Sequence, residues 1–289
     1  MLIKKHLTSI TNSVKSLIMK SIFSRSLFLI TVVVTLLSFT KSAFVSPKIK
    51  EQVLTYNSDG ITFKSYVVYD ENISGKRPAI LVIPEWWGLN EYARYRARQL
   101  AGLGYIAMAV DMYGDGKTAS NPQEAQAFTK PFYSDPQLAK SRLDEAIIQI
   151  RKNKFTDADN IAAIGYCFGG NVVLNAAKLG VDLKGVVSFH GGLGGAPANK
   201  KLLKSKILVC NGEADNFVSQ QSILDFKHSM DSIGANYQFK SYADATHAFT
   251  NPDATKTGKQ FNMPIEYNAA ADKASWNDMK TFLKDLFAK

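Results

Sequence analysis

Cysteine is nearly absent: the 289 residues hold two, Cys167 and Cys210. Two cysteines cannot staple a domain of this length, so its stability must come from a packed core. Whether they pair with each other the sequence leaves open. Histidine is almost as scarce, at four. His190, His228 and His247, the three beyond the leader, show no H-x-x-x-H spacing, and the cysteines stand 43 positions apart, so no metal motif is present. No G-K-[ST] ends "GGLGGAPANK" (191–200), which reads as a flexible rim more than a phosphate cradle, and no nucleotide-binding loop is seen. No cofactor is expected. Acidic residues are missing from positions 1–43, where Lys4, Lys5, Lys15, Lys20, Arg25 and Lys41 supply six of the ten net positive charges. The basic balance is therefore a property of the leader, and nucleic acid is not an expected partner.

Long apolar runs are also wanting. "LFLITVVVTLLSF" (27–39) is thirteen residues without a charge, short for a membrane span and suited to the h-region of a signal peptide. Lys20 and Arg25 precede it, and "TKSAFVS" follows, with cleavage expected after Ser42 or Ala43. Met19 is an alternative start to Met1. The expectation is a removable leader over 1–45 and export to the periplasm or beyond; the alternative is an uncleaved membrane anchor, which Lys41 inside the cleavage region keeps open.

Beyond the leader, apolar runs alternate with helical spacing. "ITFKSYVVY" (61–69) alternates as an outer antiparallel strand would, and "AILVIPE" (79–85) is the continuous run of a strand buried on both faces. Asn90 is placed to cap a helix ending near Gly102. "YIAMAVDMY" (105–113), "NIAAIGY" (160–166), "GVVSFHGG" (185–192), "KILVCNGEAD" (206–215) and "YQFKSY" (237–242) are further strands. Leu143, Ala146, Ile147 and Ile150 mark a helix, as do Ile223, Phe226, Met230 and Ile233 before Gly234, and Trp276, Met279, Leu283 and Leu286 at the end. Such βα repeats predict a mostly parallel sheet with helices on both faces, and residues 46–289 read as one domain. In that architecture ligands gather beyond the carboxyl ends of the strands.

At one such end stands "IGYCFGGN" (164–171). Gly165 and Gly169 flank Cys167 at ±2, as a sharp strand-to-helix turn requires, and a helix N-terminus favours the thiolate. A buried, inert thiol in a packing turn is the competing reading. A nucleophile needs a base and the base an orienter. His247 in "ADATHAFTNP" and Asp215 in "NGEADNFV" each follow their own strand, giving the chain order nucleophile, acid, base. Glu213 rivals Asp215, which also reads as a turn residue. His190 is either site-lining or structural, and His228 reads as solvated.

With "IPEWWGLNEYARYRARQLAGLGYIAMAVDMYG", "IGYCFGGN", "NGEADNFV" and "THAFTNP" in place, the chain resembles the dienelactone hydrolase family, a cysteine branch of the α/β-hydrolases, over about residues 54–287. The resemblance implies an α/β-hydrolase fold and cleavage of a small ester or lactone through an acyl-thioester, with Cys167, His247 and Asp215 as the triad. It adds Glu85 as the carboxylate that faces and primes the thiol; the residue-level alternatives are that Glu85 caps the helix after Asn90 or pairs with Arg94, Arg96 or Arg98. The oxyanion hole falls to the backbone N–H groups of Phe168 and Trp86. Trp86, Trp87, Phe168 and Phe249 are candidate pocket walls. The family's substrate-carboxylate arginine, four residues past the histidine, is Asn251 here, and the stretch 117–137 offers only Lys117 and Lys130 for a second one. A different substrate is therefore expected, and a non-hydrolytic binding or thiol-redox protein on the same scaffold is the alternative. The oligomeric state is not legible.

Overall fold

The computed structural model describes residues 13–20, 22 and 46–288. Residues 13–20 are helical; the apolar stretch 27–39 and the expected cleavage region lie outside the described residues. The chain divides into two units, Met1–Ser46 and Pro47–Lys289, and the second carries the features that follow. No helix among the described residues is long and apolar enough to cross a membrane.

Eight strands make one sheet: β1 (Ile49–Ser58), β2 (Ile61–Asp70), β3 (Arg77–Ile83), β4 (Ile106–Ala109), β5 (Thr156–Tyr166), β6 (Gly185–Phe189), β7 (Lys206–Gly212) and β8 (Tyr237–Tyr242). Their spatial order is β1-β2-β4-β3-β5-β6-β7-β8. β1 and β2 are antiparallel to their neighbours, and the strands from β4 to β8 run parallel. The strand at 61–69 is therefore not the outermost. β1, which the apolar pattern does not announce, pairs with it over its full length and forms the edge, its Lys50, Glu51 and Gln52 standing where an edge strand tolerates water.

The helices are α1 (Glu91–Gly102), α2 (Pro122–Ser134), α3 (Pro136–Arg151), α4 (Phe168–Lys178), α5 (Gln220–Ser232), α6 (Ala254–Phe261) and α7 (Ala269–Leu286). Side chains alternate along β3. Leu81 and Ile83 enter one core with Leu143, Ile147, Val173 and Phe226; Ile80 and Val82 enter another with Ala97, Leu100, Met279 and Leu283. A strand covered on both faces has no polar position to spare, which is why residues 79–83 read as an unbroken apolar run. α1 starts where Asn90 accepts from the N–H groups of Tyr92 and Ala93. α2 and α6 lack an extended apolar stripe: α2 buries only Ala125, Thr129 and Phe132, and α6 only Ala254 and Gly258. Periodicity alone does not find such helices.

The segment 191–200 is not a loose rim. Asn171 Nδ2 donates to the carbonyls of Gly192 (2.8 Å) and Gly194 (2.9 Å). Asn175 donates to Gly194 O at 3.2 Å and accepts from the Ala196 N–H at 2.7 Å. Lys178 Nζ reaches Leu193 O at 3.2 Å, and burial pulls the pKa of this amine down to about 8. These three side chains occupy one face of α4, at helical spacing, and hold the loop along their length. A composition reading sees the glycines and misses the helix that grips them.

Candidate active site

Cys167 closes β5 and opens α4 with φ 52° and ψ −112°, a positive φ that side chains other than glycine seldom adopt. The neighbours explain how it is tolerated. A Cβ on Gly165 would come within 2.0 Å of Gly169 O, and one on Gly169 within 2.4 Å of Ile83 O. Only glycine lets the strand, the turn and the end of β3 close on one another. The Cys167 N–H is shared between Phe189 O (3.0 Å) and His190 Nδ1 (3.1 Å), and the Gly169 N–H donates to Pro84 O at 3.1 Å. Gly165→Ala is expected to cost about 3 kcal/mol or more, because backbone must move to admit the methyl group; chemical denaturation measures it, and a loss below about 1 kcal/mol would contradict this account.

His247 lies on the loop after β8. Its Nε2 is 3.0 Å from Cys167 Sγ, and its Nδ1 is 2.8 Å from Asp215 Oδ2. Asp215 follows β7, its side chain fully enclosed, and its other oxygen accepts from the Phe217 N–H at 2.9 Å. Glu213 is exposed and plays no part in this chain of contacts. Burial pushes His247 toward its neutral form, but the charge and hydrogen bonds of Cys167 and Asp215 outweigh it and hold its pKa up at about 10. The imidazole is thus engaged on both sides, by the sulfur and by the carboxylate. His228 is exposed on α5 and remote in role, as its helix face predicts.

Glu85 follows the end of β3 and is only 3% exposed. Neither residue-level alternative for it holds. Asn90 caps α1 by itself. Arg94 and Arg98 pair with Glu51 and Glu91, and the buried Arg96 pairs with Asp272. Glu85 Oε2 instead accepts from Asn251 Nδ2 at 2.8 Å, while its Oε1 is buried without a partner. Burial raises its pKa to about 7, against the Asn251 hydrogen bond and the nearby positive charges of His247 and Arg96.

Two backbone donors point the same way in role. The N–H of Phe168, the first residue of α4, and that of Trp86 have no hydrogen-bond partner among the described residues. The peptide carrying the Trp86 N–H is fixed from its other side, where Glu85 O accepts from the Gly88 N–H at 3.1 Å. Tyr113 Oη donates to Trp86 O at 2.9 Å and steadies the next peptide.

A model of the dienelactone hydrolase family matches residues 63–287 of this chain. It belongs to that family. A protein of Aquifex aeolicus named "putative carboxymethylenebutenolidase" is 25% identical over 205 residues, covering 69% of this chain and 87% of the relative. A protein of Bradyrhizobium named "probable 2-oxo-3-(5-oxofuran-2-ylidene)propanoate lactonase" is 22% identical over 223 residues, covering 73% and 85%. Among solved structures, a dienelactone hydrolase-like promiscuous phosphotriesterase from metagenomic libraries superposes with a TM-score of 0.78 at 30% identity, covering 83% of this chain and 99% of that one. The protein is thus a dienelactone hydrolase-like member of the α/β-hydrolases, with their fold.

In this family member, Glu85, Cys167, His247 and Asn251 open together onto a cavity of about 1130 Å³. Trp86 and Trp87 line it, edge to face at 5.2 Å, and Trp87 stacks on Phe261 of α6. Two of the four aromatic residues named from sequence lie elsewhere. Phe168 is 1% exposed and packs on Tyr113, Phe132 and Tyr133. Phe249 is fully buried against His190 and Tyr242, because the left-handed φ of 59° at Ala248 turns the chain inward after His247. Their places on the wall are taken by Tyr133 of α2 and by Phe217, whose ring lies 4.9 Å from that of His247. Lys130 is the one lysine or arginine on the lining; Lys117 pairs with Asp115. Cys167 and Cys210 are both free thiols, and burial raises Cys210 to about 12.

Proposed function

We propose that this family member hydrolyses an uncharged carboxylic ester or lactone, with Cys167 as nucleophile, His247 as proton shuttle and Asp215 as its orienter. The observation that carries this reading is the unbroken line of short contacts from Asp215 Oδ2 through the imidazole to Cys167 Sγ, 2.8 Å and 3.0 Å. The thiol proton passes to His247 Nε2 and the sulfur attacks the carbonyl carbon. The carbonyl oxygen, now an anion, meets the free N–H groups of Phe168 and Trp86, donors worth about 3 kcal/mol each when aimed at a developing charge. Collapse breaks the bond to the leaving oxygen, which takes the proton from Nε2 and leaves a thioester on Cys167. Water then attacks the thioester; Nε2 accepts its proton and returns it to the sulfur as the acid departs.

Glu85 opens onto the same cavity as Cys167 and serves as the carboxylate that primes it. Burial holds its pKa at about 7, so it gains and loses its proton readily near neutral pH, and the charge beside His247 changes with it.

The substrate class follows from Asn251. A neutral amide, already engaged by Glu85, offers no bidentate charged clamp for a substrate carboxylate, and the cavity wall is largely aromatic and aliphatic. Residues 46–289 assayed on a panel of neutral aryl esters, a neutral lactone and a lactone bearing a free carboxylate should favour the neutral compounds by about tenfold in kcat/KM. Preference for the carboxylate-bearing lactone would overturn this assignment of substrate.

A further inference from the structure

One buried histidine has no place in the chemistry above. His190 directly follows β6 with no exposed surface and a strained φ of 40°, and both of its ring nitrogens are engaged. Its Nδ1 faces the Cys167 N–H at 3.1 Å, and a nitrogen that meets an N–H donor must be the bare one. The proton therefore sits on Nε2, which donates to Thr250 Oγ1 at 2.7 Å. Thr250 belongs to the same short loop as His247. One imidazole thus joins the backbone of the sulfur's residue to the loop that carries its partner.

The far end of this contact is anchored as well. Thr250 Oγ1 lies 2.7 Å from Tyr92 Oη, and Arg96 donates to Thr250 O at 2.6 Å and to Tyr92 Oη at 3.2 Å. Arg96, 2% exposed, is neutralised by Asp272 at 2.5 Å. A helix on one face of the sheet, α1, and the C-terminal helix α7 so meet beneath the loop of His247. The ring of His190 also packs edge-on against His247 at 5.3 Å, which leaves the catalytic imidazole no room to slide toward the core.

We propose that His190 and Thr250 are positioning residues, a rigid strut that sets the spacing and register of Cys167 against His247. Function needs the neutral, Nε2-protonated ring, since a proton on Nδ1 would set donor against donor at Cys167. The surroundings enforce that form: burial, then the positive charges of His247 and Arg96, hold the His190 pKa well below its usual 6.5. A strut is needed at this point because the two ends sit on strained backbone, at Cys167 and Ala248, which by itself relaxes toward ordinary conformations.

The test compares Thr250→Val, which keeps the volume and removes the hydroxyl, with Thr250→Ser, which restores it. Three quantities are read: kcat and KM on a neutral aryl ester, the pH profile of Cys167 alkylation by iodoacetamide, and the thermal midpoint. Thr250→Val is expected to lose about tenfold to a hundredfold in kcat with KM within about twofold, as loss of reacting geometry does. Its alkylation midpoint should move upward as the sulfur loses its aligned imidazole, and Thr250→Ser should recover both. A purely structural role would lower the thermal midpoint and leave kcat per titrated thiol and the alkylation profile at wild-type values; that result overturns the proposal. So does equal impairment of the valine and serine variants. The alkylation readout does not depend on turnover. If the wild type hydrolyses no ester while the valine variant still shifts the profile, the strut stands and the hydrolytic reading falls.

Discussion

Cys167→Ala is expected to remove ester turnover almost entirely, by about four to six orders of magnitude in kcat, while the protein stays folded. The size of the loss follows from the geometry. His247 Nε2 has Cys167 Sγ as its partner at 3.0 Å, and among the described residues no serine or threonine hydroxyl is hydrogen-bonded to it. Losing the nucleophile removes the covalent route and leaves only the two backbone donors and binding, which support a residual rate. Stability should change little, since the thiol is only partly buried and the turn is held by backbone bonds and glycines. Hydrolysis of the neutral ester panel by wild type and variant, each quantified by circular dichroism and thermal melting, measures this. Turnover that survives in the alanine variant would dismiss Cys167 as nucleophile; an inactive wild type with a free, peroxide-reactive thiol would point to the thiol-redox alternative.

Glu85→Gln should have the second largest effect, and in two opposite directions. Glu85 is carried from its ordinary 4.5 to about 7, so between those values the native state binds a proton that the unfolded chain releases. Stability therefore falls as pH rises from about 4.5 to about 7 and levels off above, by about 3 kcal/mol in total for this group. Glutamine, isosteric with the protonated carboxyl, lacks that dependence. The variant should match the wild type in denaturant midpoint near pH 5 and exceed it near pH 8 by a margin on the order of 2–3 kcal/mol. Activity should fall by about a hundredfold, since a carboxyl proposed to prime the thiol can no longer change its charge. Denaturation at the two pH values and kcat on one neutral ester separate the two effects. Equal stability of both proteins at pH 8 would remove the buried, proton-exchanging carboxyl from the account.

Much of this site is legible in the sequence because its parts sit at strand ends, and strands buried on both faces declare themselves. Cys167 between two glycines, Asp215 after "KILVC" and His247 after "YQFKSY" need only the rule that ligands gather beyond the carboxyl ends. The choice between Asp215 and Glu213 needs the turn itself, which encloses one carboxylate and exposes the other. What pairs with Glu85 is invisible for a different reason. Its partner Asn251 is 166 positions away, and the three arginines closer in sequence are each claimed by acids on other elements. The same holds for the His190 strut, whose links span 23, 60 and 154 positions. β1, α2 and α6 escape the apolar pattern because each buries too little to print a period. Phe249 misleads because one left-handed residue before it reverses its facing.

The two helices that periodicity overlooks have a consequence for how this protein changes over time. Everything that handles protons and charge hangs from the ends of the central sheet, where a misplaced atom is costly. Much of the rest of the cavity wall belongs to α2 and α6, short elements with few buried residues of their own. Lys130, Ala127 and Gln126 on one side, and Thr257 on the other, lie outside the apolar cores and can be exchanged at little expense to folding. Selectivity and reactivity are thereby housed in separate parts of the chain, and selection can retune the first while the second stands still.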